Sequence, residues 1–156
     1  MAGSIDAAED IGALARGSSR WVGVVESLTG GMVCSRLARA EGSSDWFRGG
    51  VVAYSRQVKY GLLGVPVGPV VSEVAARAMA AGGAHVLGAD VTVAVTGAGG
   101  PDPQDGNPPG TVWLAVCAAG CVSAALHRFE GPPGAVCEQA TEHALAALVG
   151  ALRTWT

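Results

Sequence analysis

Short apolar runs bounded by turn residues alternate with stretches of helical periodicity along this chain. Ile5, Ile11, Leu14 and Ala15 form one apolar face, which predicts a first helix over residues 5–16 with Ser4 as its cap. Trp21 to Val25 is a continuous apolar run and reads as a buried strand. Residues 26–31, ESLTGG, form a turn, and a helix follows to about Ala40. Gly49 to Tyr54 predicts a second strand. Gln57 to Leu63 predicts a short helix that stops at Gly64 and Pro66. Ser72 caps a predicted helix from Glu73 to about Leu87, and Asp90 to Thr96 is a third buried strand.

Residues 97–110, GAGGPDPQDGNPPG, are dense in Gly and Pro and predict a loop without regular structure. Thr111–Ala118 and Cys121–Phe129 predict a hairpin, and Glu138 to about Leu152 a last helix. Helices alternating with short buried strands imply a single three-layer α/β/α domain, with a mixed sheet of about five strands over residues 1–156 and residues 1–17 packed on it as the N-terminal helix. The length of 156 residues suits one domain with a true core.

Composition narrows the function classes. Charged residues are 15% and hydrophobic residues 49%, the reverse of a disordered chain. A net charge of −3 argues against binding to nucleic acid driven by bulk electrostatics. The N-terminus lacks a basic segment followed by an apolar one, and the longest uncharged apolar run, Thr111 to Leu126, is too short for a membrane span. A cytoplasmic protein without membrane contact is the expectation. Cys34, Cys117, Cys121 and Cys137 form no CxxC pair and read as small buried thiols, with no metal site expected.

Two turns stand where open α/β sheets bind ligands, beyond the carboxyl ends of strands: ESLTGG after the first strand and GAGGP after the third. Gly30 and Gly31 leave backbone uncovered, so amides at the helix start could meet an anion or an oxyanion. Ser27 is either a helix cap or a nucleophile; the spacing matches neither a P-loop, nor GxGxxG, nor GxSxG. A nucleophilic serine needs a base, and His85, His127 and His143 read as surface or packing residues. The other candidate is Lys59, the only lysine among ten basic residues. An amine desolvated in a cleft can lose its proton and accept one from serine, a role arginine cannot take. Tyr54, at the end of the second strand, could orient or relay that proton.

These residues, in order with GSSDWFRGGVVAYS (42–55), VSEVAARAM (71–79), TGAGGP (96–101) and PGTVWLA (109–115), resemble the CinA C-terminal domain family, whose characterised enzymes are nicotinamide mononucleotide (NMN) deamidases of the PncC type. The resemblance spans about Trp21 to Leu148. It implies a serine amidohydrolase that forms nicotinic acid mononucleotide and ammonia, with no metal or redox cofactor and with a small-molecule nucleotide as its partner. It further implies Ser27 as nucleophile, activated by Tyr54 and Lys59. Thr29, Gly30 and Gly31 would build the oxyanion or anion pocket. Thr96, Gly97 and the loop to Pro101, with Gly100 in it, would line the nucleotide side, and Arg56 is a candidate phosphate contact. A homo-oligomer is implied as well, and a nucleotide-binding module without turnover is the alternative. Three positions depart from the family pattern: Leu28 replaces a Cys, Arg56 an Asn, and Gly131-Pro132-Pro133-Gly134 an acidic-basic segment.

Overall fold

The computed structural model describes residues 6–155. The chain runs α1 (Ala7–Ser18), β1 (Val22–Glu26), α2 (Met32–Ala38), a short 3-10 turn (Ser43–Asp45), β2 (Phe47–Val52), α3 (Arg56–Leu63), α4 (Glu73–Leu87), β3 (Val91–Gly97), β4 (Thr111–Ala118), β5 (Cys121–Arg128) and α5 (Pro133–Thr154). The five strands form one mixed sheet in the order β2-β1-β3-β4-β5. β1 pairs in parallel with β2 and β3, whereas β3, β4 and β5 pair antiparallel.

Alternation along the strands builds a core on each face. Val22 and Val24 of β1 and Val91, Val93 and Val95 of β3 face a cluster completed by Ile11, Leu37, Trp46, Leu145 and Leu148. Val25, Ala94 and Ala115 face the other way, onto Leu63, Ala75, Ala76, Met79 and Ala80. α1, α2 and α5 thus cover one face and α3 and α4 the other, the three layers that the sequence predicts. β1 and β3 are buried along their whole length.

Small residues set how closely the layers approach. A Cβ at Gly83 would collide with Val25, so α4 lies directly on β1. One at Gly82 would overlap the carbonyl of Leu63, so the end of α3 rests on the backbone of α4.

Several boundaries differ from expectation. Ser4 lies outside the described residues, and Asp6 caps α1 by accepting from the Ala8 N–H at 3.0 Å. α2 stops at Ala38, and β2 begins at Phe47 rather than Gly49. α5 begins five residues early, at Pro133, because proline fits the first helical turn, where no N–H is needed. The 97–110 loop has one ordered feature: Gln104 and Asn107 exchange backbone hydrogen bonds around an Asp105-Gly106 turn. α4 keeps its expected bounds and its cap, with Ser72 Oγ accepting from Ala75 N–H at 3.1 Å.

Candidate active site

From β1 the chain passes through β2 on one side and then into β3 on the other, so the carboxyl ends of β1 and β3 meet at the topological switch point, the place where open α/β sheets bind ligands. Ser27 follows β1 directly, and the loop after Gly97 follows β3. The loop touches the turn: a Cβ at Gly99 would lie 3.8 Å from the Leu28 side chain.

Glu26, the last residue of β1, is fully buried and organises the turn. Its carboxylate accepts from Thr29 Oγ1 at 2.5 Å, Gly31 N–H at 3.1 Å, Val33 N–H at 3.1 Å and Cys34 N–H at 2.8 Å. An anion held at the start of a helix meets both the unpaired amides and the positive end of the dipole. Sequence reasoning did not assign Glu26 a role, although an acid between a buried strand and TGG was visible as a signal.

This carboxylate engages groups expected in the oxyanion pocket. The Thr29 hydroxyl and the Gly31 amide are taken by Glu26, and the Gly30 amide donates to the Ser27 carbonyl at 3.0 Å. Gly30 and Gly31 have φ of 58° and 108°, and their contribution is the turn itself. The Leu28 and Thr29 amides have no acceptor among the described residues and are the donors left beside Ser27.

Lys59 reaches Ser27. Its Nζ lies 3.0 Å from Ser27 Oγ and 3.2 Å from the Tyr54 carbonyl oxygen. Both side chains are buried: Ser27 is 7% exposed and Lys59 2%. The helix places the amine: Ser55 caps α3 by accepting from Val58 N–H, and Lys59 shares the inward face with Leu63 one turn on. Burial pushes the Lys59 pKa down from 10.5 to about 8, helped by the Arg56 charge and opposed by Asp105. Roughly one amine in ten is then neutral at pH 7.

Tyr54 enters the site differently from expectation. Tyr54 is 71% exposed and its hydroxyl makes no hydrogen bond to Ser27 or Lys59; its main-chain carbonyl is the group that meets the amine. Arg56 is not a free cation for phosphate either: it pairs with Asp105 Oδ1 at 2.7 Å and donates to the Gly68 carbonyl at 3.3 Å. Thr96 spends its hydroxyl on the Val70 carbonyl at 2.6 Å. Gly97 is required where the chain crosses β4, since a Cβ would come within 2.8 Å of the Thr111 carbonyl oxygen. Gly100, at φ 93°, packs against Pro109. Thr96, Gly97 and Gly100 therefore fix the backbone where β3 passes into the loop.

No histidine bonds to Ser27 or Lys59. His127 and His143 instead pack with Phe129, at ring-centroid distances of 4.8 to 5.5 Å, and both histidines line an apolar groove of about 940 Å³ between β5 and α5. Cys34 is no rival nucleophile, since burial and the Glu26 carboxylate push its thiol far above the ordinary range. Among the described residues no group of three or more His, Cys, Asp or Glu could hold a metal ion, and no helix is long and apolar enough to cross a membrane.

A sequence model of the CinA C-terminal domain matches residues 5–152. A nicotinamide-nucleotide amidohydrolase, PncC, of Enterobacter agglomerans is 40% identical over 143 residues, which are 87% of this chain and 87% of that protein. A CinA-like protein of Geobacter sulfurreducens is 45% identical over 121 residues, 72% of this chain. The chain spans 29% of the length of that protein, so it matches both a compact relative and one part of a longer one. A crystal structure of a CinA superfamily protein from Klebsiella pneumoniae superposes with a TM-score of 0.90 at 31% identity, covering 96% of this chain and 97% of that one. One from Escherichia coli gives 0.88 at 33% identity, covering 92% and 87%.

Proposed function

This chain belongs to the CinA C-terminal domain family, and we propose that it is a serine amidohydrolase that converts NMN to nicotinic acid mononucleotide and ammonia. The observation that carries this reading is the buried contact of 3.0 Å between Lys59 Nζ and Ser27 Oγ, with no histidine bonded to either.

Neutral Lys59 takes the proton of Ser27 as its oxygen attacks the carboxamide carbon. The Tyr54 carbonyl holds an amine N–H and so turns the nitrogen lone pair toward the hydroxyl. The developing oxyanion lies beside the Leu28 and Thr29 amides; one such donor typically contributes about 3–4 kcal/mol. The lysine then returns the proton to the departing nitrogen, and ammonia leaves an ester on Ser27. In the second half, Lys59 takes a proton from water, the hydroxide adds to the ester, and the collapsing intermediate expels the serine oxygen, which is reprotonated. The Gly/Pro-rich loop after β3 lines the nucleotide side.

The Leu28 side chain, in place of Cys, packs against the core and lies toward Gly99, and it offers no polar atom to the dyad. The partner is a small nucleotide, and no step uses a metal or redox cofactor. The test is ammonia release from NMN by the wild type and by Ser27→Ala. Release by the wild type, lost in the variant while NMN still binds, supports the proposal. Equal release by both removes Ser27 from the mechanism. The departures from the family pattern at Arg56 and Pro132-Pro133 leave a second reading, a nucleotide-binding module without turnover, in which NMN binds but no ammonia forms.

A further inference from the structure

We propose that Arg56 and Asp105 are a positioning pair for the Ser27–Lys59 dyad, fastening the first turn of α3 to the loop after β3 so that the amine is held against the serine; the proposal rests on the catalytic reading of that dyad.

Asp105 sits at the tip of a loop, yet its side chain is only 10% exposed. Its backbone is left-handed, at φ 51°, a conformation that Asp tolerates in a two-residue turn. The turn aims the carboxylate away from its own loop. Oδ1 takes Arg56, and Oδ2 accepts from Val70 N–H at 2.8 Å and Val71 N–H at 3.0 Å. An exposed ion pair contributes little on its own. This one is half of a network with a mostly buried carboxylate and two amides, which gives it directional hold.

Arg56 is the first residue of α3 and stands one helical turn before Lys59, on neighbouring positions of the helix surface. Its second nitrogen donates to the Gly68 carbonyl, and the Tyr60 hydroxyl donates to the same carbonyl at 2.6 Å. From the loop side, Asn107 Nδ2 donates to the Val71 carbonyl at 3.0 Å, and Thr96 Oγ1 to that of Val70. Residues 68–71 are thus gripped from α3 on one side and from the loop on the other. Releasing Asp105 frees the start of the helix that carries the base.

The pair also acts by charge. The groups around Lys59 are Arg56 and Tyr60 on its own helix, Asp105 from the loop, and Ser27 from the β1–α2 turn with Glu26 behind it. α4 contributes the apolar residues Ala76, Met79 and Ala80 to the cluster beneath α3. The cation at Arg56 disfavours a second cation at Lys59, and Asp105 opposes it. Loss of one partner therefore moves the amine in one direction and loss of the other moves it in the opposite direction, whereas a purely structural brace moves it the same way for both.

Lys59 is the only lysine, so growth with lysine carrying ¹³C at the ε position gives one resonance whose titration reports the amine. The full chain is measured as wild type, Arg56→Gln, Asp105→Asn and the double variant, each checked for cooperative thermal unfolding. The expected midpoints are near pH 8 for the wild type, higher for Arg56→Gln, lower for Asp105→Asn, and close to the wild type for the double variant. With NMN, kcat of Arg56→Gln falls several-fold at pH 7 with a smaller change in KM, and its acid limb moves to higher pH. Identical midpoints in the folded variants overturn the proposal. So does a rise in KM for NMN with kcat and the Lys59 titration unchanged, which would make Arg56 a substrate contact. If Asp105→Asn does not fold, the direction of the Arg56→Gln midpoint decides. Divergent midpoints in a protein that releases no ammonia would sink the amidase reading and leave the pair standing.

Discussion

The starts of α2 and α3 flank Ser27 and treat a buried charge in opposite ways. At α2 the Glu26 carboxylate receives four donors within 3.1 Å and has nothing further to gain. At α3 the Lys59 amine has two acceptors, one of them a hydroxyl, and a cation one turn away. A buried charge with a complete set of partners fixes a backbone. A buried charge with an incomplete set gives up its proton within reach of neutral pH, and that makes it useful. The first holds the turn that carries Ser27, and the second supplies the base of the proposed mechanism.

The widest gap between the two should appear in catalysis and stability together. Ser27→Ala and Lys59→Met are each expected to lower kcat for ammonia release by about a thousandfold or more. Lys59→Met should leave urea-unfolding stability unchanged or raised, since a methionine fills the space with no charge to bury. Glu26→Gln should instead cost about 2–4 kcal/mol in the same unfolding experiment, because its amide group confronts N–H donors. Equal destabilisation by both substitutions would erase the distinction.

A third test uses pH. The base must be neutral, so kcat should climb with pH through a midpoint near 8 and fall about fiftyfold from pH 8 to pH 6. The sign in stability follows from the same shift. Between about 8 and 10.5 the unfolded chain binds more protons than the folded one, so wild-type stability should rise with pH across that window and Lys59→Met should not follow it. The smallest effect expected is that of Tyr54→Phe, within about threefold of the wild-type kcat, because the backbone carbonyl does the orienting. A loss of a hundredfold would return the hydroxyl to the mechanism.

What was legible in the sequence was whatever local pattern controls. Ser72 and the periodicity behind it placed α4 correctly, and the continuous apolar runs identified β1 and β3 as central strands. Ser27 and Lys59 could be singled out because a turn after a strand and a lone lysine are both visible without a fold. The Tyr54 contribution was not readable, since every residue has a carbonyl and only the fold chooses which one is used. Glu26 was visible as an acid after a buried strand, but its role was not, because its partners are mostly backbone amides, which carry no residue signature. Arg56 and Asp105 lie 49 residues apart and meet through a turn inside a segment that promised only irregular chain. The sequence placed the start of α5 at Glu138, five residues late, because the pattern of apolar positions carries no mark of a proline in the first helical turn.

Where α3 ends, it leans on a bare spot of α4, the missing side chain of Gly82. A single methyl group there would wedge the two helices apart and tip the arm that delivers the amine, far from any reacting atom. Under the proposed mechanism, a screen for lost turnover should find that position as readily as the dyad itself.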